Sequence, residues 1–137
     1  MIEIRAIQAE DTYEIRQKVM WPHKNIEFVK VEDDKEGFHF GLFENDALMS
    51  VVSVFYKNQE AQFRKFATLT ASQGKGYGTK LLDFIFQEMR KKDVQRIWCN
   101  ARRNKAAFYA KFGMKTTDVF FTKEGVDYVV MEKESSF

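Results

Sequence analysis

Ile2, Ile4 and Ala6 alternate with Glu3 and Arg5, with Gln8 just beyond, and this period of two predicts a half-buried strand at the start of the chain. Asp11 is the expected cap of a following helix. That helix carries Ile15, Val19 and Met20 on one side and ends before Trp21-Pro22, because a residue preceding proline avoids the α region. Residues His23 to Gly37 show no clean period and hold the acidic cluster Glu32-Asp33-Asp34, which reads as a loop or a short irregular helix. Phe38, Phe40 and Leu42 alternate up to the turn Glu44-Asn45-Asp46, and Ala47 to Tyr56 continue as a second strand, giving a hairpin. After the turn Lys57-Asn58-Gln59, a further strand is expected from about Phe63 to Thr70.

Leu81, Leu82, Ile85, Phe86 and Met89 then recur on one face of a helix, with Lys80, Asp83, Gln87 and Arg90 on the wet face. A short strand from Val94 to Asn100 follows, then a helix from about Asn104 to Phe112 closed by Gly113 at the C′ position. Two last strands, Lys115 to Thr122 and Val126 to Lys133, flank the turn Lys123-Glu124-Gly125. The order is βα, ββ, βαβα, ββ. Strands joined by crossover helices predict an α/β (α+β mixed) class, with a mixed sheet and helices on both faces.

Composition narrows the class without naming a function. The 137 residues suit one domain with a real core, 45% are hydrophobic, 31% are charged, and there is no disorder signature. A net charge of +2 gives no argument for nucleic acid or a membrane surface as partner, and no apolar run reaches the length of a membrane span. Cytoplasm is the default location. The one cysteine, Cys99, lies within Arg96-Ile97-Trp98-Cys99-Asn100; it reads as a buried strand residue, without an internal disulfide or a metal site.

The candidate chemistry centres on Thr68 to Leu82, TLTASQGKGYGTKLL, where a strand passes to a helix through Gly74, Gly76 and Gly78. Glycines admit positive φ and close approach of a ligand, and the first turn of a helix offers unpaired N–H groups at its positive end. An anion suits that place. The P-loop pattern fails because Thr79-Lys80 follows Gly78, and the dinucleotide pattern fails because position 79 is threonine. What fits is Q/R-x-x-G-x-G/A, as Gln73, Gly76 and Gly78. This resembles the acyl-CoA-binding motif of the GNAT superfamily of N-acetyltransferases. Phe108-Tyr109-Ala110-Lys111-Phe112-Gly113-Met114 is similar to a second motif of that family, and the element order resembles its fold from the first strand to the last.

The resemblance implies a single domain over residues 1–137, a central mixed, mostly antiparallel sheet, and acetyl-CoA as co-substrate. It implies that Gln73, Gly74, Lys75, Gly76, Tyr77, Gly78 and Thr79 hold the pyrophosphate, and that Phe66, Ala67 and Thr68 lie along the acyl and pantetheine portion. The Phe66 amide would polarise the acetyl carbonyl. Tyr109 resembles the general acid that protonates the departing thiolate. The asparagine common seven residues before that tyrosine is Arg102 here, leaving Asn104 as a candidate coenzyme contact, and Gln62 stands where some members carry a carboxylate base.

The acceptor side is expected on the first helix and the loop after it, where Arg16, Trp21, His23, Glu27 and His39 are the candidates. The reading is direct acetyl transfer in a ternary complex to a small-molecule amine. Protein amino groups and a non-catalytic acyl-CoA-sensing domain are the alternatives. The Phe120-Phe121 strand reads equally as core or as the edge of a homodimer.

Overall fold

A computed structural model describes residues 1–134. The elements are β1 (Ile2–Ile7), α1 (Ala9–Ile15), a π turn (Arg16–Met20), α2 (Ile26–Val29), β2 (Phe38–Glu44), β3 (Ala47–Lys57), β4 (Glu60–Thr68), α3 (Tyr77–Lys91), β5 (Arg96–Arg102), α4 (Ala106–Ala110), β6 (Lys115–Lys123) and β7 (Val126–Glu134), with short 3-10 turns between some of them. The strands hydrogen-bond in the order β1-β2-β3-β4-β5-β7-β6, with β4 and β5 parallel and the recorded neighbours of the other strands antiparallel. The described residues form two compact units, 1–55 with 64–86, and 56–63 with 87–134.

In the first unit, β1, β2 and β3 form an antiparallel meander, with Ile4 opposite Leu42 and Phe40 opposite Val52. The β2–β3 turn places Asn45 and Asp46 at φ +50° and +68°, the two left-handed residues of a tight hairpin whose twist matches the strands. Ile15, Val51 and Ala67 form a buried cluster against which Ile7, Val19, Met20, Leu48 and Leu69 pack. Ala6 is exposed, so the alternation of β1 yields to Ile7 at its end. α1 begins one turn earlier than expected. Gln8 is its N-cap and Asp11 sits at N3, where its carboxylate accepts the Gln8 N–H at 2.9 Å, the reciprocal half of a capping box.

The segment from His23 to Gly37 is irregular, as its sequence suggested, with the single turn α2 and a 3-10 turn at Asp34–Glu36. β4 starts at Glu60 and ends at Thr68, and Thr70, expected as the end of the strand, instead opens a 3-10 turn that runs to Ser72. The predicted apolar face of α3 is buried from Leu81 to Met89, while Lys80, Asp83, Gln87 and Arg90 are exposed.

In the second unit, β5 pairs along its length with β7, and β7 with β6. Cys99 is buried on β5, and burial pushes its thiol pKa up to about 12, which keeps it protonated and inert. Gly113 holds φ +87° two residues beyond the Lys111 C-cap of α4, one position later than the expected C′, and a β-carbon there would meet the Lys133 ammonium at 3.0 Å. β6 is exposed over nearly its whole length. Phe120 is 56% and Phe121 36% exposed, so the core reading of that pair gives way.

Candidate active site

The glycine loop and the part of β4 that leads into it, from Arg64 to Thr68, lie in the first unit. Gly74 and Gly76 take φ +85° and +79°, a region that side chains rarely adopt, and nothing stands within 4 Å of a β-carbon built on either. The loop therefore presents open backbone. Lys80 N–H donates to the Gly76 carbonyl at 3.1 Å as the first helical bond, so the N–H groups of Tyr77, Gly78 and Thr79 have no partner inside the helix. Lys75 is exposed beside them.

The loop is tied back to its strand. Gln73 Nε2 donates to the Thr68 carbonyl at 3.0 Å, closing the segment between β4 and α3. Ser50 Oγ donates to the Ala67 carbonyl at 3.1 Å and stands 2.8 Å from Thr68 Oγ1. At Gly78 the fit is steric: a β-carbon would lie 3.0 Å from Phe66 Cζ and 3.4 Å from Thr68 Oγ1. Glycine is what lets the start of α3 close on β4. The Tyr77 side chain is buried and turned to Glu44, whose carboxylate accepts a hydrogen bond from the phenol and raises its pKa; what Tyr77 offers an anion is its N–H. Lys65 takes φ +56° in the middle of β4, a left-handed kink immediately before Phe66 that the sequence did not signal.

This set fits a pyrophosphate. Two left-handed glycines with free space, helix N-terminal donors and an adjacent ammonium are what a diphosphate needs from a backbone cradle.

The acceptor candidates divide. Arg16 is fully buried, with Nη1 and Nη2 donating to Asp34 Oδ2 and Oδ1 at 2.9 and 3.0 Å, to the Val29 carbonyl at 3.0 Å and to Ser53 Oγ at 3.0 Å. Its Nε is buried with no hydrogen-bond partner among the described residues. His39 is buried with Nε2 2.8 Å from the Asp34 carbonyl and Nδ1 2.7 Å from Ser53 Oγ. A carbonyl only accepts, so Nε2 carries the proton and the ring is fixed. Neither residue is available to an acceptor, and both leave the candidate set as structural groups. Burial pushes the Asp34 carboxyl up, but the hydrogen bonds from Arg16 and the Val31 N–H outweigh it and hold its pKa below the usual range. Trp21 is half-buried with its ring 5.1 Å from Phe28, while His23 and Glu27 are exposed, Glu27 paired with Lys30 at 2.7 Å. Asp34 and Ser53 were missed because an acidic cluster in an aperiodic stretch and a serine in a strand carry no sequence mark of burial.

In the second unit, Tyr109 stands on α4, half-buried, with its ring 5.7 Å from Phe63 and 5.4 Å from Phe108. Burial pushes its phenol pKa well above the ordinary value; the nearby Cys99 adds to this and Arg102 opposes it. It is therefore a protonated phenol at neutral pH. Asn104 lies exposed in the 3-10 turn that precedes α4.

The model of the acetyltransferase (GNAT) domain family matches residues 9–135. The chain belongs to the GNAT acetyltransferase family. It is 36% identical to the uncharacterized N-acetyltransferase YitI of Bacillus subtilis, over 97% of this chain and 96% of that protein. It is 26% identical to the ribosomal protein bS18 alanine N-acetyltransferase of Haemophilus influenzae, over 85% and 82% of the two chains. A GNAT family acetyltransferase structure from Elizabethkingia anophelis with acetyl-CoA bound superposes with a TM-score of 0.76, covering 97% of each chain at 15% identity. Membership in the GNAT family bears out the expected fold, the enzyme class and acetyl-CoA as co-substrate.

Proposed function

We propose that this GNAT enzyme is a single domain that transfers an acetyl group from acetyl-CoA directly to the primary amine of a small molecule, in one ternary complex. The observation that carries the coenzyme half is the cradle of left-handed Gly74 and Gly76 with Gly78 packed on Phe66. Gln73 to Thr79 would hold the pyrophosphate by backbone N–H groups, with the Lys75 ammonium adding charge. Phe66, Ala67 and Thr68 would lie along the pantetheine, and Asn104 is a further coenzyme contact. The Ala67 and Thr68 carbonyls already accept from Ser50 and Gln73, so the pantetheine would use their second lone pairs or neighbouring N–H groups.

The bound thioester supplies an activated acyl group. The chain's own residues orient it and manage protons. The Phe66 amide would stabilise negative charge on the acetyl oxygen, and the Tyr109 phenol, kept protonated by burial, would give its proton to the sulfur as it leaves. A buried, protonated Cys99 supports no covalent acyl-enzyme, which favours direct attack. The amine would enter against the segment after α1, where Trp21, His23 and Glu27 stand. Cytoplasm is the proposed location; among the described residues no helix is long and apolar enough to cross a membrane.

Similarity to the Haemophilus influenzae enzyme, which acts on an alanine of a ribosomal protein, favours a second reading with a protein α-amine as acceptor. Thiol release from acetyl-CoA, measured over a panel of polyamines, amino sugars, amino acids and alanine-initiated peptides, separates the two. Release with small amines alone supports the first reading, and release with peptides alone replaces it. Tight acetyl-CoA binding with no turnover of any amine would leave a sensing domain.

A further inference from the structure

Residues 21–37 have little order of their own. α2 is a single turn, too short to persist alone, and its Ile26 and Phe28 are 42% and 37% exposed. Two consecutive side chains of the π turn hold this backbone. Arg16 caps the Val29 carbonyl at the end of α2 and grips the Asp34 carboxylate, which in turn accepts the Val31 N–H at 2.9 Å. Gln17 Nε2 donates to the Lys24 carbonyl at 3.0 Å and reaches the Pro22 carbonyl at 3.4 Å. Carbonyls at Pro22, Lys24 and Val29 and the carboxylate at Asp34 are thus fixed from one point at the end of α1.

A buried ion pair adds little net stability over apolar packing, yet its geometry admits few alternatives. Apolar side chains of equal volume would fill the same space and leave the Val29 carbonyl and the Val31 N–H without these partners. What the arrangement encodes is one conformation of the segment. We propose that Arg16 and Gln17 are positioning residues that set the acceptor wall through residues 21–37, without touching either substrate. This rests on the reading that the amine binds on that side.

The test uses the full chain, acetyl-CoA and the amine from the panel above that releases thiol fastest. Gln17→Ala removes a half-buried side chain that is not part of the core; Arg16→Lys keeps the charge and loses the fork. Amide exchange in residues 22–37 is expected to speed up in both. Acceptor KM is expected to rise ~3-fold or more in Gln17→Ala and ~10-fold or more in Arg16→Lys, with acetyl-CoA KM within ~2-fold of the parent. An unchanged acceptor KM in Gln17→Ala overturns the proposal. So do equal losses for both substrates, the mark of a merely structural role. A parent enzyme that turns over no amine in the panel fails the acetyltransferase reading itself, and this inference falls with it.

Discussion

Phe66 and Gly78 meet in a contact that a side chain would crowd: a β-carbon at position 78 would stand 3.0 Å from Phe66 Cζ. The start of α3 and the kinked part of β4 are thereby brought together, and with them the helix N–H groups and the Phe66 amide. Gly78→Ala should push the first turn of α3 away from β4 and raise the acetyl-CoA Kd ~10-fold, about 1.4 kcal/mol, without loss of helix content. Adding Phe66→Leu gives the new methyl room and should recover part of the affinity. Titration calorimetry of the single and double variants checks this; an unchanged Kd in Gly78→Ala would separate the contact from coenzyme binding.

Tyr109→Phe removes the proton donor and keeps the ring packed on Phe63 and Phe108. kcat should fall ~10²-fold or more, within the range of general acid catalysis, while acetyl-CoA Kd stays within ~2-fold. Steady-state rates beside calorimetry read both quantities. A variant with full kcat would return Tyr109 to a packing role.

The raised phenol pKa has a pH consequence. Its folded value lies above the unfolded value of about 10, so the protonated donor persists through neutral and moderately alkaline pH. kcat/KM for the amine should climb as the amine loses its proton, with no falling limb around the ordinary phenol value of about 10. A falling limb in that range that disappears in Tyr109→Phe would show an ordinary phenol instead.

Asp34 works in the other direction. Its folded pKa lies below the unfolded value, so its contribution is fully present above the ordinary carboxylate range and is lost as pH falls through the depressed value. Asp34→Asn leaves Arg16 buried without its carboxylate, which should cost about 3–5 kcal/mol at pH 7. The variant should also lose less further stability than the parent on acidification below about pH 4. Urea midpoints across pH measure both effects.

The pattern of the chain made the strands and the α3 face legible because burial there follows a local period. Leu81, Leu82, Ile85, Phe86 and Met89 are all buried, and the glycines of the loop stood out because Gly74 and Gly76 take φ angles only glycine adopts readily. Residues 23–37 were illegible for the opposite reason. Their order comes from Arg16 and Gln17, through polar contacts that leave no period of their own. Arg16 and His39 looked like acceptor groups by type, yet both are buried and tied to Asp34 and Ser53. Phe120 and Phe121 show a related limit, since an apolar strand pair reads the same whether it is core or exposed edge.

The most direct measurement is calorimetric titration of the protein with acetyl-CoA, with ATP and NAD as controls, repeated on Gly76→Asp. That substitution sets a carboxylate, on a left-handed backbone at φ +79°, in the loop proposed to hold the pyrophosphate. Saturable acetyl-CoA binding with a Kd on the order of micromolar, absent for the controls and lost in Gly76→Asp, is the predicted result. Absence of binding to the parent protein, or equal binding by Gly76→Asp, would contradict the glycine loop as the coenzyme site.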